Sequence, residues 1–420
     1  MKPSRVFYGW WIVAASFLTG LYTAGVIFYG FTTVFEPIAE DLGWSYTQIS
    51  LASSIRGLEA GLLAPIVGLL ADRWGPRRLV FIGAIFTSLG LLLLSRTQTL
   101  GVFYASFILI ALGMSFGTMT VLMTAIANWF HHRVGLASGI AVSGFGFGGL
   151  LIPVIVRLIE SYEWRGAITI LALGVLLIIL PLSLVFRHKP EQYGYLPDGQ
   201  TEDPAVSTNN AGLSSTSGAD FTTKQTLKSR AFWHMGLAFV CHTMLVSATI
   251  THVMPYLSSI GIARSRASVV AMAIPLTSIC GRLGLGWLGD KVNRKLVLVG
   301  ALAAMSLGIF CFGYTSIAGA WLLVVFIILF GVGYGGSIAL RPSLVREYFG
   351  RSSFGAVFGL ITGITMLGGI IGPPLAGWVY DNWGGYQGIW YIFAGFAGVA
   401  IVSVLTTPQE STRQETVDII

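Results

Sequence analysis

Arg282 lies well inside an apolar run, Ile274 to Lys295, reading IPLTSICGRLGLGWLGDKVNRK. A bare cation in hydrocarbon costs roughly 2.5–3.5 kcal/mol on insertion scales, and it marks a functional site whose partner must be found. The guanidinium fork matches a carboxylate through two parallel hydrogen bonds. One turn away on the same helix stand Ser278 and Gly286, so no local acid neutralises the charge. The acid that does fall within an apolar run is Glu59, and Arg56, three residues earlier, is within pairing reach of it. Pairing Arg56 with Glu59 leaves Arg282 to bind an anionic ligand. A bond to backbone carbonyls is the structural alternative.

Other side chains with chemical potential carry weaker signals. His252 can bond a ligand hydroxyl or carry a proton, as can Glu59, but a packed histidine explains the residue equally well. His242 reads as buried packing or a helix-to-helix bond. Tyr334, in the glycine-rich run GVGYGG, places a hydroxyl near mid-depth where it can reach a carboxylate. Two G-x-G-x-x-G matches, at Gly144 and Gly331, follow no strand, which excludes a dinucleotide site; close helix packing accounts for them. His131-His132 lacks neighbouring Cys or carboxylate ligands, so no metal and no cofactor is expected. No nucleophile–base–acid set stands out, and an enzyme is not expected.

The elements that must hold these residues are membrane spans. Of 420 residues 54% are hydrophobic and only 10% charged, against about 25% charged in a soluble domain. Apolar runs long enough to cross a hydrocarbon core of about 30 Å recur throughout, and 53 glycines suit close helix approach. The three cysteines, Cys241, Cys280 and Cys311, all lie in apolar runs and read as small hydrophobes. The N-terminal apolar stretch runs on past Phe28 without a cleavage site, so it is expected to be the first span. Twelve spans are expected, the fifth and sixth near 135–158 and 166–186. They give an all-α membrane protein with one six-helix lobe over 1–186, a cytoplasmic linker over 187–231, a second lobe over 232–407 and a cytoplasmic tail over 408–420.

Basic residues cluster on one set of loops, including Arg73, Arg77, Arg78, Lys291, Arg294 and Lys295. The opposite loops hold only Arg96, Arg157, Arg165, Arg264 and Arg266. By the positive-inside rule both termini are cytoplasmic, in a multi-pass protein of the cell membrane. This asymmetry explains the net charge of +7 without nucleic acid, and anionic lipid contact is expected.

The halves repeat. Gly68-Leu-Leu-Ala-Asp72-Arg73-Trp-Gly-Pro-Arg77 returns as Gly286-Trp-Leu-Gly-Asp290-Lys291-Val-Asn-Arg-Lys295, each copy ending the second helix of a lobe. The basic residues are expected to hold an inner gate while Asp72 and Asp290 accept from helix N-termini; obeying the positive-inside rule is the plainer alternative. At the same offset Ala64 stands opposite Arg282, so the repeat does not demand a charge there.

The duplicated motif resembles the helix 2–3 loop pattern of the major facilitator superfamily, which implies two parallel lobes rocking about a midplane site. Tyr8-Gly9-Trp10-Trp11, Asn128-Trp129-Phe130, Lys189-Pro190-Glu191 with Pro197-Asp198-Gly199, Thr251-His252-Val253-Met254-Pro255-Tyr256 and the arginine on helix 8 are similar to the monocarboxylate transporter family, related to the oxalate/formate exchangers. The resemblance implies carboxylate transport with Arg282 as the anion anchor and Ser278 one turn away. It also implies Phe28, Met119, Phe145 and Tyr386 as cavity walls that limit the substrate to a few carbons. Two family features are missing: a lysine in helix 1 near Gly30 and an aspartate at Ser278. Helix 11 also lacks the lysine of oxalate exchangers, so a single membrane cation favours one carboxylate over two.

The expected function is transport of a small monocarboxylate such as lactate or pyruvate, coupled to a proton carried by Glu59, His252 or the substrate. The alternatives are exchange of one carboxylate for another and, remotely, a non-transporting metabolite sensor. A monomer is expected.

Overall fold

The computed structural model describes residues 7–117, 119–130, 133–194, 223–349 and 354–408, and every regular element among them is helical. The long helices are α1 (Gly9–Leu42), α2 (Tyr46–Trp74), α3 (Pro76–Ser95), α4 (Leu100–Trp129), α5 (134–162), α6 (164–185), α7 (Arg230–Ser259), α8 (Arg264–Lys291), α9 (Arg294–Ala318), α10 (Leu322–Phe349), α11 (Phe354–Trp383) and α12 (Gln387–Leu405). Among the described residues ten helical stretches are long and apolar enough to cross a membrane. One of them, Val134–Val185, breaks at Glu163, where φ 57° and ψ 170° divide α5 from α6. The more polar α2 completes the set of twelve. The linker from 195 to 222, including Pro197-Asp198-Gly199, and the tail beyond 408 lie outside the described residues.

The described residues form two compact units, 7–43 with 59–194 and 44–58 with 223–408. In the first unit, small residues let backbones touch. A Cβ on Gly144 would overlap the Phe17 carbonyl, and one on Gly25 would stand 2.6 Å from the Gly148 carbonyl, which fixes α1 against α5. The Tyr22 hydroxyl donates to the Leu171 carbonyl at 3.0 Å, so α6 lies against the same stretch of α1 and the chain must double back at Glu163. Asp41 pairs with Arg165, which also donates to the Thr97 carbonyl at 3.1 Å. At the other end of α1, Tyr8 donates to the Val185 carbonyl at 2.9 Å while the Arg187 guanidinium lies 3.8 Å over its ring. Trp129 and Asn128 donate to the carbonyls of Arg187 and His188 at 3.1 and 3.2 Å. The motifs around Tyr8 and Asn128 therefore clasp the chain as it leaves α6.

The second unit is built on helix pairs. Gly368 and Gly372 of α11 lie against the carbonyls of Val240 and Met244 on α7, and Gly308 and Gly333 close α9 onto α10. The tightest seam joins α8 to α10: a Cβ on Gly281 would overlap the Val332 carbonyl, one on Gly331 the Thr277 hydroxyl, and one on Gly335 the Ser278 carbonyl.

The first part of α2 belongs with this second unit, a division that differs from the expected lobe boundary at 186. The reason is a set of long-range polar contacts. Asp381 of α11 caps the start of α2, accepting from the backbone N–H groups of Tyr46 and Thr47 at 3.0 and 2.8 Å and from the Thr47 hydroxyl at 2.5 Å. Pro374 has no N–H to offer the Ile370 carbonyl four residues earlier, and the Ser54 hydroxyl supplies the missing donor at 2.5 Å. Asp381→Ala removes an exposed cap, so it is expected to cost about 1 kcal/mol. Amide exchange at residues 46–48 should accelerate while exchange in α9 stays unchanged; equal protection in both proteins would refute the capping role.

Candidate functional site

Arg282 is half-buried on α8, with the seam to α10 fixing its height: Gly335 stands beside both the Ser278 carbonyl and the Arg282 amide. Its buried Nε has no hydrogen-bond partner, and among the described residues no ion pair or hydrogen bond engages the guanidinium. Ser278 is fully buried and its hydroxyl donates to the Pro275 carbonyl at 2.7 Å, so its oxygen keeps only acceptor capacity. Tyr334 is buried on α10 next to Gly335, its ring 6.3 Å from Phe330 and 6.4 Å from His242.

Arg282 is not the sole spare cation. Arg341, seven residues after Tyr334 on α10, is half-buried, and its buried Nε also lacks a partner. Its guanidinium lies 4.6 Å over the Phe239 ring on α7 and is in electrostatic reach of both His242 and Tyr334. The expectation of one membrane cation without a second is thereby corrected: two arginines on neighbouring helices are unpaired among the described residues. Of the two readings of His242, the structure shows buried packing: it is 2% exposed, and both ring nitrogens are buried without a partner, so it makes no helix-to-helix bond. The Ser337 hydroxyl, between Tyr334 and Arg341 on the same helix, is likewise buried and unpartnered. The spacing of Tyr334, Ser337 and Arg341 at i, i+3 and i+7 is the sequence signal that would have found this face.

His252 sits in a second cluster, on α7 with α2, α11 and α12. It is fully buried, its Nε2 3.0 Å from the Ser50 hydroxyl and 2.9 Å from the Pro373 carbonyl, its Nδ1 2.8 Å from the Tyr386 hydroxyl. A carbonyl only accepts, and the Ser50 hydroxyl already donates to the Tyr46 carbonyl at 2.6 Å, so Nε2 carries the proton of the neutral ring. Nδ1 then accepts from Tyr386. For Nδ1 to take a second proton, the Tyr386 hydroxyl must turn from donor to acceptor. Tyr386 is 1% exposed and packed between Tyr380 and Trp390, with ring centroids 4.6 and 5.8 Å away.

The remaining expected residues are dispersed. In the first unit Phe28 is half-buried with its ring 5.1 Å from Tyr29, and Phe145 packs against Gly20. Arg56 donates to Ser53 at 3.1 Å; the pairing expected with Glu59 rests on a side chain outside the described residues, as do Met119, Gly68, Asp72 and the pair His131-His132. Arg73 is exposed. In the second copy of the loop motif Gly286 lies on α8 near Ala339, and Lys291 stands 4.1 Å over the Trp287 ring. Asp290 takes a side-chain cation where a helix N-terminus was expected: Arg294 bonds it at 3.5 Å and Glu347 of α10 at 3.2 Å, a chain across the ends of α8, α9 and α10.

Twelve helices in this order, with a duplicated charged turn and unpaired cations inside apolar helices, describe a polytopic carrier. The family model of the Major Facilitator Superfamily matches residues 11–283 and 243–418, and the chain belongs to that superfamily. Its relatives include monocarboxylate transporter 12 of Rattus norvegicus, 27% identical over 417 residues covering 93% of this chain and 83% of that protein. Monocarboxylate transporter 13 of the same organism is 27% identical over 418 residues, covering 97% of this chain and 90% of that protein. Among solved structures, the nucleoside transporter NupG superposes with a TM-score of 0.72 at 17% identity over 95% of this chain and 99% of that one, which concerns the fold alone. These relatives are membrane transporters, not enzymes.

Proposed function

We propose that this superfamily transporter carries small monocarboxylates of the lactate and pyruvate type across the cell membrane by alternating access, with proton symport and both termini cytoplasmic. The observation that carries the reading is Arg282, a cation inside an apolar helix with no protein partner among the described residues. Such a group is satisfied by a carboxylate arriving from solution, and the relatives named above support that chemistry. Anion and proton bound together leave the loaded site with no more net charge than the empty one, which lowers the cost of carrying it across. The His252–Tyr386 pair supports a proton site, because a hydroxyl can serve the ring nitrogen as donor or acceptor; Glu59 and the substrate are the other carriers. Rocking of the lobes would have to release residues 44–58 from α7 and α11, so the contacts of Asp381, Ser50 and Ser54 act as latches on this reading.

Purified protein in liposomes is expected to accumulate lactate when an inward proton gradient is imposed, with proton influx detected by an internal pH dye. His252→Gln should abolish gradient-driven accumulation while lactate-for-lactate counterflow continues. Uptake indifferent to the gradient, yet strongly stimulated by carboxylate on the opposite face, would overturn symport in favour of exchange.

A further inference from the structure

We propose that Arg341, with His242 and Ser337, forms a second oxyanion subsite on the cytoplasmic side of Arg282, so that the carrier takes short dicarboxylates as well as the monocarboxylates proposed above and binds the diacid of a given length more tightly. The proposal rests on Arg282 as the carboxylate anchor. Its own evidence is independent: one half-buried guanidinium without a counter-ion, and two fully buried polar side chains without a partner, all on the facing sides of α7 and α10. The Tyr334 ring stacks at 27° to His242 and closes one side of this group, and the Phe239 ring supports the guanidinium from another.

The register of the glycine seam gives the spacing. Gly335 lies level with Ser278 and the Arg282 amide, and Arg341 follows six residues later on α10. Six residues are roughly 9 Å of helix rise. The two helices run parallel and their side chains lean towards the same end, so the forks keep about that separation, and a four- or five-carbon diacid lying between them is bonded at each end. His242 and Ser337 can each donate one hydrogen bond to the distal carboxylate. A monocarboxylate would fill the Arg282 end and leave Arg341 as unpaired as it is in the empty protein. A diacid satisfies both cations in one event.

The experiment is equilibrium binding of succinate and butyrate, acids of equal length, to the purified full-length protein, followed by calorimetry. Wild type is expected to bind succinate on the order of 10- to 100-fold more tightly than butyrate, as hydrogen bonds to a charged group require. Arg341→Gln should erase that ratio while leaving butyrate affinity within about twofold, and Arg341→Lys should restore part of it. Arg282→Gln should weaken both acids. Thermal unfolding of each variant reports whether it remains folded, and Arg341→Lys carries the test if Arg341→Gln does not. Butyrate binding without a succinate preference in wild type, or equal losses of both acids in Arg341→Gln, would overturn the subsite and leave the Arg282 anchor standing. Binding of neither acid to wild type would overturn both. Butyrate affinity that depends on added chloride, with no succinate binding, would assign the cluster to a separate inorganic anion and also defeat the proposal.

Discussion

Replacing Arg282 by alanine is expected to weaken binding of C2–C4 carboxylates by about 2–3 kcal/mol, roughly 30- to 150-fold, when tested against the purified protein. Arg282→Lys keeps the charge but loses the planar fork, and a bidentate clamp predicts that lysine recovers little of the loss. The reasoning is physical. The side chain is held at fixed height by the contact of Gly335 with its own amide, and it finds no protein acceptor among the described residues, so a ligand carboxylate is the partner its chemistry calls for. Removing it also relieves the empty protein of an unpaired charge, so folding should be unharmed or slightly improved. Unchanged carboxylate affinity in both variants would remove the basis of the site assignment.

The second large effect is expected from one methyl group. Gly335→Ala places a Cβ on the Ser278 carbonyl, which is backbone and cannot swing aside. The seam must open, at a cost of about 1–3 kcal/mol of stability, and Arg282 must shift relative to α10. The variant should therefore show a lower unfolding temperature together with at least a tenfold loss of carboxylate affinity. Gly300→Ala is the control, since a Cβ at that exposed position on α9 meets nothing within 4 Å. Equal behaviour of the two variants would show that the seam does not position the arginine.

Some of this organisation was legible in the residues and some was not, for definable reasons. The spans were readable because a helix that satisfies its own backbone in hydrocarbon must be long and apolar, and the repeat at Asp72 and Asp290 was readable because similar turn chemistry recurs at matching points. Arg282 stood out because it lies eight positions before the charged turn at Asp290, within apolar helix. Arg341 did not. It lies eight residues before the end of α10, and its surroundings become visible only once Phe239 and His242 of α7 are placed beside it. The allegiance of residues 44–58 was equally hidden. It depends on Asp381, more than three hundred residues away, and on a carbonyl left vacant by Pro374. Hydropathy records the length of a helix, but which neighbour a helix half belongs to is written in such pairwise contacts.

The glycine seam between α8 and α10 has one more consequence. Gly281, Gly331 and Gly335 bring two backbones into direct contact, with no flexible side chain between them to absorb sliding. Arg282 and Arg341 stand on opposite members of that pair, so close backbone packing sets the interval between their anchoring points. On the proposed two-cation subsite the helices act as a caliper that measures the length of the ligand.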